Sequence, residues 1–191
     1  MSDFLIQDNV LVKYTGTGER VITIPEGVVI IGENAFNYID EDIDYTTSEV
    51  ITDEGTFILD ERGFECNSHI KQVAFPTTLR VIRKKAFYRC SLRTVHLPEG
   101  VKNIGISAFE HNEIKELKLP NTLRNIEERA FIFNHLNSVI IPEGVKFIKK
   151  HAFAYNNMQT AEIENIVPLI SIHNKAFVNG KGEADIVFSM Y

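Results

Sequence analysis

A thirteen-residue phrase recurs along this 191-residue chain, and its regular spacing constrains the fold more than any other feature. The copies read LPEGVKNIGISAF from Leu97, LPNTLRNIEERAF from Leu119 and IPEGVKFIKKHAF from Ile141. Their prolines and those of two earlier copies are Pro25, Pro76, Pro98, Pro120 and Pro142, of which the last four lie 22 residues apart. A fixed period of this length is typical of a solenoid, in which neighbouring coils bury a shared core.

Several positions keep the same apolar character in every copy. Ala-Phe stands ten residues after each proline, an isoleucine stands four residues before each of these alanines, and a valine or leucine stands three residues before that. The phenylalanines are Phe36, Phe87, Phe109, Phe131, Phe153 and, in a degenerate last unit, Phe177. These positions predict an interior ladder of Phe, Ile and Leu.

Each copy also predicts the same local structure. The segments LRTVHLP, IKELKLP and LNSVIIP alternate apolar and polar residues before the proline, as in a short strand with one buried face. The Val/Leu-x-x-Ile step suits a second extended piece, and the residues up to Ala-Phe suit a single helical turn. The third residue after Phe is Cys90, Asn112, Asn134 or Asn156, which we expect to bond the backbone of adjacent coils.

The repeat unit from about 21 to 177 resembles the BspA-like (Treponema pallidum type) bacterial leucine-rich repeats. Its pattern is L-x-x-V-x-[IL]-P-x-x-[VL]-x-x-I-x-x-x-A-F-x-x-[NC]-x. The resemblance implies a right-handed leucine-rich repeat solenoid, a β/α superhelix that is β-rich with short helical turns and has about six coils. It also implies surface-associated bacterial proteins, some of which adhere to host matrix or to other cells. Because a fold does not dictate a function, these functional implications are analogies.

We expect one domain over residues 1–191. A cap hairpin with a turn at Asp8-Asn9 would occupy residues 1–20, the repeats residues 21–177, and a C-terminal cap that includes ADIVF residues 178–191. An insertion at about 37–68 interrupts the repeats, and EVITDEGTFIL within it predicts a hairpin.

The insertion is strongly acidic. Residues 40–61 contain nine acids and no Lys or Arg, which leaves 26 − 9 = 17 acids against 20 bases elsewhere. This distribution argues against a nucleic-acid binder. The insertion is either a tolerated loop or a specificity element for a basic partner, and its candidate binding residues are Asp40, Glu41, Asp42 and Asp44.

Outward positions of the strands before proline form rows across the predicted concave face. One row includes His96, Lys118 and Ile140, and no aromatic ladder for sugars or bases accompanies it. Beside it, a cation recurs at Arg20, Lys71, Arg93 and Lys115, about 5 Å apart along the stack. The cations either attract an acidic partner, or the chain's own insertion, or form a solvated edge.

No motif points to a reaction, a cofactor or a metal, and we expect no catalytic residue. The six histidines fall at different places in the repeat, so they do not stack into a metal site. Cys90 is expected to be structural, and its pairing with Cys66 is left open. The basic residues Lys149, Lys150 and His151 are expected on a solvated convex face rather than on an anion-binding surface.

The expected function is therefore non-catalytic recognition of a protein partner of unknown identity, without nucleic acid or membrane insertion. We expect neither a signal peptide nor a membrane helix, since the start lacks the required pattern and no apolar run is long enough. The family resemblance favours the cell surface or the extracellular space, whereas a native start at Met1 favours the cytoplasm. In the latter case the alternative function is an intracellular assembly module that uses the acidic insertion.

Overall fold

The computed structural model describes residues 3–16, 19–36, 49–52, 55–58, 70–158, 160–164, 171–179, 182–183 and 185–189. Nineteen strands lie in these ranges. They are β1 (Phe4–Gln7), β2 (Val10–Tyr14), β3 (Val21–Thr23), β4 (Ile30–Ile31), β5 (Glu49–Thr52), β6 (Gly55–Ile58), β7 (Gln72–Ala74), β8 (Val81–Ile82), β9 (Thr94–His96), β10 (Asn103–Ile104), β11 (Glu116–Lys118), β12 (Asn125–Ile126), β13 (Ser138–Ile141), β14 (Phe147–Ile148), β15 (Thr160–Glu164), β16 (Ser171–Ile172), β17 (Val178–Asn179), β18 (Gly182–Glu183) and β19 (Asp185–Ser189).

The strands stack coil on coil into a β-solenoid, as the 22-residue period predicts, with about five turns rather than the expected six. Each coil contributes one longer strand and one two-residue strand. The longer strands form a parallel four-stranded sheet, β11-β9-β7-β3, and a three-stranded sheet, β13-β15-β19. We call the outer surface of these two sheets the long-strand face. The two-residue strands form most of an eight-stranded sheet, β1-β2-β4-β8-β10-β12-β14-β16, whose outer surface we call the short-strand face.

Side chains between the two faces form the core. The repeated Ala, Phe, Ile and Val/Leu positions are buried in the described coils, except for the partly buried Ile172, which confirms the predicted interior ladder. The Phe rings stack from Phe36 to Phe177 with centroids 4.5–5.2 Å apart and neighbouring planes within 19° of parallel. Tyr14 of the first hairpin extends this stack, since its ring centroid lies 5.2 Å from that of Phe36.

The prediction of short helical turns is wrong, because the described residues contain no helix. The residue before Ala has a positive φ in the first five coils, for example 53° at Lys85 and 61° at Arg129, and an α-helix requires negative φ throughout. Two tight turns follow each other instead, as in Ala130 N–H to Glu127 O and Ile132 N–H to Arg129 O. This geometry leaves other N–H groups to bond the next coil, and Phe131 N–H donates to Ala152 O at 2.7 Å.

The asparagines after each Phe bond the preceding coil, as expected. Asn134 Oδ1 accepts the Ile114 N–H at 3.0 Å, and its Nδ2 donates to Phe109 O at 2.9 Å and to Phe131 O at 3.1 Å. Asn112 and Asn156 make the same contacts in their coils. At Cys90 the fully buried Sγ lies 3.9 Å from Phe36 O and 3.7 Å from Tyr88 O, so a weak thiol donor takes the place of the amide.

Hairpins stand at the start of the chain and within the insertion. β1 and β2 pair antiparallel across Asp8 and Asn9, both of positive φ, and β2 pairs with β4 of the first coil. β5 and β6 pair antiparallel at the position where EVITDEGTFIL predicts a hairpin. In the described ranges, no helix is long and apolar enough to cross a membrane.

Candidate protein-binding surface

The long-strand face brings most of the predicted concave-face residues together. Parallel pairing of β9 with β11 sets His96 beside Lys118. Just before these strands, Lys115 N–H donates to Arg93 O at 3.0 Å, so Arg93 and Lys115 are also neighbours. Ile140 occupies the equivalent place on the next coil and is 52% exposed, although β13 belongs to the other sheet.

The predicted row of four cations is partly neutralised. Glu113 accepts from Arg93 Nε at 3.0 Å and from Lys71 Nζ at 3.3 Å. These contacts, with that of Arg93 the strongest, lower the pKa of Glu113 below its ordinary value of 4.5. Arg20 and Lys115 have no acidic partner within ion-pair distance in the part of the chain that the structure describes. The sequence could not show that Glu113 bridges Lys71 and Arg93, since Glu113 lies 42 residues from Lys71.

A second polar contact crosses the face between neighbouring strands. His96 Nε2 lies 2.7 Å from Glu116 Oε1, and both side chains are at least half exposed. Lys118 on the same strand as Glu116 is exposed and has no acidic partner among the described residues. The face therefore presents Lys115 and Lys118 as uncompensated cations, with the exposed side chain of Ile140 one coil away.

The other half of the predicted site lies outside the described residues. Asp40, Glu41, Asp42 and Asp44 fall there, as does Cys66. Their roles as partner-binding residues and as one half of a cysteine pair stay predictions.

A row of stacked rings was missed by the sequence prediction. The residue two places after Phe is Arg89, His111, Phe133 and Tyr155 in four successive coils. Of these, Phe133 and Tyr155 are exposed, whereas Arg89 is buried and His111 is half-buried. The His111 and Phe133 rings stack with centroids 4.5 Å apart, and the Phe133 and Tyr155 rings with centroids 4.9 Å apart. Aligning the repeats on Phe and reading this position along the coils would have revealed it.

An ion pair beside this row was also missed. Glu110 is 4% exposed and accepts from Arg129 Nη2 at 2.6 Å and from Arg129 Nε at 3.2 Å. This bidentate contact is the first cause of a raised pKa of Arg129. The pair bridges neighbouring coils and has the geometry of a structural contact.

The described residues contain no group of three or more His, Cys, Asp or Glu placed to hold a metal ion. The charged side chains with resolved contacts are paired across coils rather than gathered in a cleft. What the geometry offers is an extended surface for binding.

Comparison with known proteins identifies the repeat. The model of the BspA-type leucine-rich repeat region matches residues 57–182 with six copies. β3 and β4 lie before the matched residues and pair with β7 and β8. Among curated proteins, no sequence matches this chain significantly.

Two crystal structures are similar to the solenoid. The pneumococcal vaccine antigen PcpA has 20% identity and a TM-score of 0.57 over 84% of this chain and 47% of its own. A leucine-rich cell surface protein from Faecalibacterium prausnitzii has 23% identity and a TM-score of 0.47 over 85% of this chain and 52% of its own. This chain thus spans about half of each of those chains. Because the family model matches residues 57–182, the chain belongs to the BspA-type leucine-rich repeat family.

Proposed function

We propose that this chain is a non-catalytic scaffold that binds a protein partner through the long-strand face, in a bacterial surface or adhesion role. The observation that supports this proposal most is the difference between the shared and the varied positions of the repeat. Residues shared by the copies are buried or hydrogen-bonded between coils, whereas the outward residues of the strands differ from coil to coil. A surface of varied side chains on a rigid array suits recognition of a partner.

The chemistry of the face favours an acidic partner with an apolar contact residue. Lys115 and Lys118 are exposed without an acidic partner in the described ranges, and Arg93 keeps 62% of its side chain exposed while bonded to Glu113. Ile140 adds an exposed apolar side chain. Opposite charges on the two partners increase association rates and select partners, while the apolar group adds buried area.

A matched pair of charge reversals tests this proposal. Lys115→Glu with Lys118→Glu changes the long-strand face, and Lys102→Glu with Lys146→Glu makes the same charge change at exposed residues of other segments. Tagged forms of both, and of the wild type, would capture partners from host and bacterial lysates. We expect the first pair to reduce capture of a specific protein about tenfold and the second to leave it intact. Equal capture by all three proteins would refute binding at this face.

A second candidate function is assembly with a basic partner through the acidic insertion, which the run of nine acids without a base favours. Capture by a form lacking residues 40–61 separates the two candidates. Loss of capture in this form, with retention in the Lys115→Glu, Lys118→Glu form, would favour the insertion. Equal capture with and without residues 40–61 would discard it.

A further inference from the structure

The row of stacked rings is unusual because its backbone does not favour two of its members, Phe133 and Tyr155. The residues two places after Phe have left-handed φ of 56° at His111, 55° at Phe133 and 54° at Tyr155. This region suits Gly and Asn and is enriched in His, whereas bulky residues such as Phe and Tyr are outliers there. The fold requires the turn but not an aromatic ring, since Arg89 occupies the same place with φ of 58°. Strained residues that the scaffold does not need are candidates for function.

The stacking determines which part of each ring meets solvent. The planes of His111 and Phe133 differ by 14° and those of Phe133 and Tyr155 by 18°, so neighbouring rings cover each other's faces. Phe133 lies between two rings and is 36% exposed, which leaves mainly its edge open, whereas Tyr155 ends the described row and is 46% exposed. Ring edges carry partial positive charge and attract acceptor oxygens, whereas a sugar or a base would need an open ring face.

Cations lie on the same turns as the rings. Arg129 stands four residues before Phe133 and is linked to the row through Glu110, whose Oε1 also lies 3.8 Å from His111 Nε2. One coil further on, His151 stands four residues before Tyr155. Its backbone N–H donates to Lys175 O at 3.1 Å, and Arg129 N–H donates to Lys150 O at 3.1 Å. Burial first and then the charge of Lys150 lower the pKa of His151.

Other charges also act on His151. Lys175 and Arg129 lower its pKa as well, and Glu128 opposes them. Arg129 is committed to Glu110, but the exposed Lys150 and Lys175 have no acidic partner in the described part of the chain. The environment of His151 is therefore net positive.

We propose that these residues bind an acidic peptide segment of a protein partner, at a second site built from turns rather than from the long strands. We call this surface the aromatic–basic edge, and it consists of Arg129, Phe133, Lys150, His151, Tyr155 and Lys175. Carboxylates of the peptide meet the lysines and ring edges, and its apolar side chains pack on the exposed parts of the rings. Charge complementarity and the covered faces of Phe133 both favour this occupant over a neutral glycan.

Binding of a glutamate-rich synthetic peptide with two leucines tests the proposal, with a glutamine-for-glutamate peptide as the neutral probe. Phe133→Asn with Tyr155→Asn removes the rings with a residue that tolerates left-handed φ, and circular dichroism checks that the fold remains. Lys150→Glu with Lys175→Glu reverses the charge, and Lys102→Glu with Lys146→Glu is the matched control. We expect the ring and charge variants each to weaken binding about fivefold or more, and the control to bind as the wild type does.

The pKa of His151 provides a second readout, which would not change with the peptide if the edge were only structural. Carboxylates bound beside it would raise its pKa, so its imidazole NMR signals should titrate at higher pH with the acidic peptide than without it. The proposal fails if the acidic peptide shows no measurable binding, if the neutral peptide binds equally well, or if the control pair weakens binding as much. It also fails if a sulfated oligosaccharide displaces the acidic peptide equally well from the wild type and from the ring variant. Finally, it fails if a second copy of the chain or residues 40–61 occupy the edge and block the peptide.

Discussion

Asparagine side chains hold the backbone of neighbouring coils together. Asn134 is 3% exposed and accepts one N–H while donating to carbonyls of its own and the preceding coil. Buried backbone groups at these turns have no water to replace such a partner, and leaving one unpaired is costly. This explains why the residue recurs at this place, whereas residues on the strand surfaces vary.

Removing one asparagine should therefore be costly. We expect Asn134→Ala to lower the free energy of unfolding by about 3 kcal/mol, because the Ile114 N–H and at least one carbonyl lose their partner. Urea unfolding measures the change. Asn137→Ala, at an exposed position, should change stability by less than about 0.5 kcal/mol. Equal effects of the two substitutions would contradict this role of Asn134.

The bridging carboxylate predicts a pH dependence. Because the pKa of Glu113 is lowered in the folded state, its stabilisation is fully present above its ordinary value of 4.5 and is lost as the pH falls through the lowered folded-state pKa. Wild type should therefore melt at a higher temperature than Glu113→Gln at neutral pH, and the difference should vanish in acid. Thermal melts from pH 7 to about pH 2 measure it. A difference that persists below pH 3 would show that the charge of Glu113 is not its cause.

At the scale of the element, the turns after proline are joined by hydrogen bonds between two kinds of coil, one with Gly and the next with Thr two places after proline. The Pro-Glu-Gly coils at Pro25 and Pro98 are each followed by a coil with Thr two places after proline. Thr122 Oγ1 accepts the N–H of Gly100, which has φ of 104°, at 2.8 Å and donates to Val101 O at 3.0 Å. Thr78 makes the same pair of contacts with Gly27 and Val28 two coils earlier.

This alternation gives a prediction for one hydroxyl group. Thr122→Val keeps the shape but removes both hydrogen bonds, and we expect it to cost about 1–3 kcal/mol of unfolding free energy. Thr94→Val, on the outer side of β9, should be nearly neutral because a β-branched residue suits a strand. Chemical denaturation of both variants gives the comparison. If Thr122→Val were as mild as Thr94→Val, the hydroxyl contacts would contribute little.

Sequence periodicity predicted the strands, the interior ladder and the asparagine contacts, because those features repeat with the apolar pattern itself. It did not predict the turns, since Lys85, Ser107 and Arg129 give no sign of left-handed φ and the residues around Ala-Phe also suit a helix. Nor did it predict that Glu113 would reach a lysine two coils away. A contact between residues at different positions of the repeat depends on the geometry between coils, and the sequence of a single repeat does not reveal that geometry.

At the scale of the whole molecule, stability comes from contacts between adjacent coils. The Phe109 ring lies 5.2 Å from that of Phe87 and 5.1 Å from that of Phe131, whereas Phe177 ends the described stack. In such an array, free energy is approximately a sum over coils and the interfaces between neighbours.

A substitution in the middle should therefore matter more than one at the end. We expect Phe109→Ala to cost about 3–5 kcal/mol and to disturb two interfaces, and Phe177→Ala to cost less. Amide hydrogen exchange would show whether protection is lost on both sides of the central substitution. Equal loss of stability from both substitutions would argue against a sum over neighbouring interfaces.

The central claim is that the shared residues build the scaffold and the varied residues of the long-strand face bind a partner. Placing a photo-crosslinking amino acid at Lys118 on that face, and at Lys102 as the control, tests it most directly. We predict a specific protein adduct from position 118 and none from position 102, with both proteins folded as the wild type. Adducts of equal yield from both positions, or from position 102 alone, would contradict the claim.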